Sequence, residues 1–227
     1  MVGRVYDKVF VVNFNKHATT AIHHMFEVNG LKCYHGVHWW RQRGKHVAER
    51  IVDSHDVLSD GSPQMVKGEL QWLVDMYPQS RFILPVRSLC RWVISRFLHG
   101  DRMRKMWPDK IDSWMWAYPP SLDRVNKWSD QLYRHVTNVF HMMQKHADRL
   151  WVVDIENPDW EQYVREQFDL QVKDQHLRNI TADNEQFMRQ IHEILYHEDS
   201  PMVSAGEQYD KMLREMCKQH GYNTNLL

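Results

Sequence analysis

KVFVVNFNKHATTAIHHMFEVNG, residues 8 to 30, decides the fold. Its first part, Lys8 to Phe14, is a short apolar run rich in Val and Phe, the composition of a buried strand. Asn15 to Thr20 is polar, and a helix is expected from about Ala18, an alanine that suits helical backbone. Ile22, Met25 and Phe26 keep helical spacing, and Gly30 supplies the stop. The chain therefore opens strand, loop, helix.

The same unit recurs outward from there. HDVLS (55 to 59) reads as a short strand ending at Asp60-Gly61-Ser62-Pro63, and Val66, Leu70, Leu73, Val74 and Tyr77 then keep helical spacing up to Pro78. RFILPV (81 to 86) is a stronger strand that runs into a helix bearing Trp92, Val93, Ile94, Phe97 and Leu98. Residues 121 to 147 read as a long helix, 149 to 155 as a buried strand, 160 to 168 as a short helix, and the chain from about 183 as helical with a break near 200. Apolar strands alternating with helices imply parallel pairing with helices on both faces. The expected fold is a three-layer α/β/α sandwich around a central, mainly parallel sheet, with a helical C-terminal part, in one domain spanning residues 1 to 227. In such sheets ligands bind beyond the carboxyl ends of the strands, so Asn15 to Thr20, Asp60 to Pro63 and Arg87 to Ser95 are expected to converge on one cleft. Residues 36 to 50 read as loop, and residues 100 to 120, rich in Trp and Tyr, as an irregular insertion suited to a lid.

Composition narrows the function. Lys+Arg and Asp+Glu number 29 each, so net charge gives no general attraction to nucleic acid. Cys33, Cys90 and Cys217 match neither a disulfide framework nor zinc spacing, and a reducing, cytoplasmic setting is the simpler expectation. No apolar run approaches the ~18 residues needed to cross a bilayer, so no membrane association is expected.

The first strand-to-helix turn carries the chemistry. Free backbone N–H groups and the helix dipole make Asn15-Lys16-His17-Ala18-Thr19-Thr20 an anion site, to which Lys16 adds charge and the threonines add hydroxyls. The loop lacks the glycines of G-x-x-x-x-G-K-[ST], and its lysine stands three residues before the first threonine, which argues against a nucleotide kinase loop. Asp154, closing an apolar strand, imitates a magnesium-holding acid but reads better as a capping carboxylate.

Lys16-x-x-Thr19-Thr20 after a first strand resembles the 5'-phosphosulfate loop of the sulfotransferases, Pro-Lys-(Ser/Thr)-Gly-Thr-Thr, with Asn15, His17 and Ala18 departing from that pattern. A second segment strengthens the likeness: an apolar strand ending in Arg87, with Ser95 eight positions later on the next helix, resembles the family's 3'-phosphate segment. Seven cations from Arg81 to Lys105 face one acid there, Asp101; strand-to-helix placement singles out Arg87 among them. The resemblance implies a P-loop-type α/β fold. It further implies 3'-phosphoadenosine 5'-phosphosulfate as donor, adenosine 3',5'-bisphosphate as product, no required metal, and a small-molecule or glycan acceptor. It assigns Asn15, Lys16, His17, Ala18, Thr19, Thr20, Arg87 and Ser95 to the donor. A base must take the acceptor proton. Asp60, at the carboxyl end of a strand on the same cleft, is the first choice, with His35 and His38, which follow a short expected strand, as alternatives. A nucleotide kinase and a non-catalytic nucleotide- or sulfate-binding protein remain the competing readings.

Overall fold

Val9, Phe10 and Val11 are wholly enclosed and form β1 (Val9–Val11), the third strand of a six-stranded sheet in which every pairing is parallel. The structure is a computed structural model that describes residues 6–36, 39, 44–60, 69–106, 120–172, 185–196 and 202–226. After β1 come α1 (Thr19–Glu27), β2 (Cys33–His35), α2 (Lys45–Ser54), β3 (Val57–Ser59), α3 (Glu69–Met76) and β4 (Arg81–Val86). The second half holds α4 (Leu89–Met106), α5 (Leu122–Met143), β5 (Leu150–Asp154), α6 (Trp160–Phe168), α7 (Glu185–Leu195), α8 (Met202–His220) and β6 (Asn223–Thr224). The chain forms two compact units. The first comprises Met1–Val86, His135–Leu177 and Glu215–Leu227 and holds the whole sheet; the second comprises Arg87–Arg134 and Arg178–Arg214.

The strand order is β2-β3-β1-β4-β5-β6. The chain steps away from β1 in one direction to reach β2, then returns past it to β4, and right-handed crossovers put α1 on one face and α2 and α3 on the other. Packing agrees with that rule. Val9, Val11 and Ile83 meet Ile22, Met25 and Phe26 of α1, while Val164 and Phe168 of α6 join the same cluster. Phe10 points the opposite way, as a strand's period of two requires, and packs on Trp39, Tyr77 and Phe82 with centroids 5.9, 5.8 and 5.3 Å away. Both faces are thus covered, which is why the strands read as continuous apolar runs.

Several boundaries differ from the sequence reading for local reasons. The first strand ends at Val11 rather than Phe14, because Asn13 leaves the ladder: its Nδ2 donates to the Pro85 carbonyl and its Oδ1 accepts from Phe14 N–H. Helix α2 occupies part of the expected 36 to 50 loop; only Ala48 and Val52 are buried on it, a stripe too narrow to show as periodicity. Residues 101 to 106 continue α4 instead of opening an irregular insertion, and the remainder of the expected lid, 107 to 119, lies outside the described residues. Helix α5 gives way to a tighter 3-10 turn over Gln144–Arg149. Arg149 there donates to the carbonyls of Tyr77 (2.7 Å) and Ser80 (3.0 Å), satisfying acceptors just beyond the C-terminus of α3. Among the described residues no helix is long and apolar enough to cross a membrane.

Candidate functional site

The loop from Asn15 to Ala18 turns the chain from β1 into α1 through an unusual backbone. Lys16 (φ 70°) and Ala18 (φ 54°) are both left-handed, a conformation disfavoured by about 1–2 kcal/mol for residues with a Cβ. Asp60, which follows β3, is the third such residue (φ 60°), and only Asp169, at the C-terminus of α6, shares the property elsewhere among the described residues. Three of four strained positions therefore stand at the carboxyl ends of two neighbouring strands, the clustering that marks functional loops. Ala18 thus does not extend the helical backbone expected of it; α1 starts at Thr19, and Ala18 is the N-cap. It offers no side-chain cap, and the first turn carries no acid, so the positive end of the α1 dipole is not neutralised from within the helix. Replacing Ala18 by glycine should relieve the left-handed strain at a smaller entropic cost. We expect Ala18→Gly to stabilise the protein by up to ~1 kcal/mol in urea unfolding, whereas the same change inside a helix destabilises by about that amount.

Beneath the loop the support is buried. His17 has no exposed surface, and its Nδ1 lies 3.2 Å from the Phe14 carbonyl, so this residue braces the loop from inside. His135, on α5, packs edge-on against Phe14 at 4.9 Å and donates from Nε2 to the Val12 carbonyl at 3.1 Å. Burial holds His135 neutral, with its pKa pushed down to about 4 despite the opposing effect of that hydrogen bond. The unfolded chain takes up this proton below an ordinary histidine value of 6.5, whereas the folded chain does so only near 4. Stability therefore falls as pH drops through that window, by roughly 3 kcal/mol in total. We expect His135→Gln, which keeps a donor for Val12, to flatten this part of the acid unfolding profile measured by circular dichroism.

On the open side, β1, β2 and β3 bring their carboxyl ends together. The parallel register sets His35 of β2 opposite Ser59 of β3, and His35 Nδ1 lies 2.8 Å from Ser59 Oγ. Ser59 is fully buried, and its carbonyl accepts from Trp39 Nε1 at 3.1 Å and from Gly36 N–H at 3.2 Å. The other ring nitrogen, Nε2, is 3.3 Å from Thr20 Oγ1 in the first turn of α1 and 3.9 Å from Asp60 Oδ2. His23, one turn along α1 from Thr20, stacks obliquely on His35 at 5.2 Å. Burial lowers the His35 pKa against the attraction of Asp60. It raises that of Asp60, with His35 and then Lys16 pulling the other way. Burial and the neighbouring His35 likewise hold His23 below the ordinary value.

Lys16, Thr20, His35 and Asp60, nominated from sequence, thus form one constellation. Thr19 is buried at the head of α1, Asn15 is half-buried, and His38 and Gly61 to Pro63 lie outside the described residues. Arg87 and Ser95 belong to the second unit, Ser95 on α4 and both partly buried. Much of the cationic run around them has structural partners. Arg81 stacks on Tyr6 and Trp151, and Arg104 and Lys105 pair with Asp101. Asp154 serves its own turn: Oδ1 accepts from Glu156 N–H at 2.9 Å, and the main-chain N–H donates to Asn225 Oδ1. Among the described residues no cluster of three or more His, Cys, Asp and Glu is arranged to hold a metal ion. Nothing in the sequence singles out Ser59; only the His35–Ser59 register exposes its role.

No protein-family model matches the chain, and no curated protein matches it in sequence.

Proposed function

We propose that the protein is a sulfotransferase of the P-loop type, which moves a sulfuryl group from 3'-phosphoadenosine 5'-phosphosulfate to a hydroxyl or amine acceptor, a small molecule or glycan. The observation that carries the reading is the loop after β1, where left-handed Lys16 and Ala18 lead into an uncapped, acid-free helix N-terminus bearing Thr19 and Thr20. Strain retained at that place is what a backbone shaped for a phosphate requires. The sheet order supports the same location. Strands β1 and β4 are neighbours, and the chain leaves β1 toward one side of the sheet and β4 toward the other, the switch point at which open α/β sheets take ligands.

The donor supplies the sulfuryl group and a bisphosphate leaving group. Lys16 and the first-turn N–H groups of α1 meet the negative charge that grows on the 5'-phosphate. Arg87 and Ser95 take the 3'-phosphate, a role that stands on their sequence pattern. The Asp60–His35 pair accepts the acceptor's proton: His35 is kept neutral, and Ser59 on one side and Thr20 on the other fix its ring. Calorimetry with adenosine 3',5'-bisphosphate in magnesium-free buffer tests the reading. One-to-one binding is expected; no heat with this ligand, together with magnesium-dependent heat from ATP, would transfer the loop to a kinase.

A further inference from the structure

Helix α4 buries a charge that nothing among the described residues balances. Arg96 is 3% exposed and lies on the enclosed face of α4 with Trp92, Val93 and Phe97. Its guanidinium carbon is 4.9 Å from the ring centroid of Trp92 and 4.3 Å from that of Trp128 on α5. The two indoles are themselves 6.5 Å apart and inclined at 61°, so the guanidinium occupies a wedge between them. Its Nη1 is enclosed and makes no hydrogen bond. Asp101, the nearest acid along α4, is engaged by Arg104 at 3.1 Å and Lys105 at 2.6 Å. Burial lowers the Arg96 pKa to about 9, and among the described residues no neighbouring charge opposes that shift.

Two aromatic faces do not complete such a site. Their attraction acts on the faces of the guanidinium, whereas its five N–H donors lie in the plane and need acceptors at the rim. A buried cation with an unmet donor at its rim is the arrangement proteins avoid, since an apolar side chain of similar volume would pack in the same wedge without desolvating a charge. A second unmet atom lies close by in sequence: Gln131, one turn beyond Trp128 on the same side of α5, has its Oε1 buried and without a hydrogen bond.

We propose that Arg96, in the wedge of Trp92 and Trp128, is the receptor for an oxyanion of a small molecule, a phosphate, sulfate or carboxylate group gripped in the plane of the guanidinium. The planar fork matches the paired oxygens of such a group, and the rings hold the fork in orientation before the ligand arrives. Gln131 Oε1 supplies an acceptor for a hydroxyl or N–H carried beside the anion. The site is separate from the face of α4 that bears Ser95, because consecutive helical residues point about 100° apart. It does not depend on the sulfotransferase reading.

The test uses the full chain labelled with 5-fluorotryptophan, with the Trp92 and Trp128 signals assigned through Trp92→Phe and Trp128→Phe. Inorganic phosphate, sulfate and acetate are titrated separately against chloride at equal ionic strength. At least one oxyanion is expected to shift both fluorine signals saturably. Arg96→Met should abolish the shift, and Arg96→Lys, which keeps the charge and loses the fork, should weaken it at least tenfold. The local signals separate this site from anion binding at the Lys16 loop, which would also raise thermal stability. Flat titrations with all three anions, or a shift that survives Arg96→Met, would overturn the proposal. Should the Met variant fail to fold, an undiminished response in Arg96→Lys does the same.

Discussion

Lys16→Ala is expected to lower the affinity for adenosine 3',5'-bisphosphate by about 10- to 100-fold, from the ~1.5–3 kcal/mol that a hydrogen bond to a charged group contributes. On the sulfotransferase reading the transfer rate should fall further, by roughly 10²–10³, because charge on the leaving phosphate would grow toward the transition state and Lys16 would meet it there. The backbone has to be separated from the charge, since Lys16 is itself left-handed. Lys16→Gly removes the ammonium and relieves the strain, whereas Lys16→Ala removes the ammonium and keeps it. Equal losses of affinity in both variants assign the effect to the side chain; recovery in the glycine variant would assign it to the loop's shape. Magnesium-free calorimetry, with thermal melts to establish folding, decides between them. Affinity within twofold of the parent in both variants would remove the phosphate from this loop altogether.

The parts of the fold that were legible in sequence are those with a self-contained signal. Strand β4 and helix α6 fall where expected, because FILPV after Arg81 is a continuous apolar run and Trp160 to Phe168 is a short amphipathic segment. Strand β6 had no such signal: Asn223 and Thr224 are polar and become a strand only by pairing with Trp151 and Val152. The candidate site divides along the same line. Lys16, His35 and Asp60 could be nominated because each ends a predicted strand or enters its turn. Ser59 and His135 could not, since one depends on the register between β2 and β3 and the other sits among the buried Leu132, Val136 and Val139 of α5. Backbone handedness at Lys16, Ala18 and Asp60 is likewise invisible in residue type, as none of the three is glycine. In the sequence Arg96 is one cation in a basic run, and only burial between two indoles distinguishes it from its neighbours.

Asp60→Asn and His35→Gln are each expected to slow release of sulfate from the donor, with water as acceptor, by about 10²–10⁴, the usual contribution of a general base. Affinity for adenosine 3',5'-bisphosphate should hold in His35→Gln and hold or rise in Asp60→Asn, which removes a negative charge coupled to Lys16. The pH profile of the residual activity then tells the two apart. In the parent the acid limb belongs to the pair rather than to either residue, because each group shifts the other. Removing Asp60 deprives His35 of the charge that raises its pKa, so the limb should move to lower pH. Removing His35 leaves the limb to Asp60 alone, so it should be lost when Asp60→Asn is added. A limb that falls when Asp60 is removed and vanishes when both are changed is a signature that a merely structural role for either residue does not produce. If both variants keep the parent's rate and limb, the proton is taken elsewhere, and the Asp60–His35 contact serves only to join β2 and β3 to the head of α1.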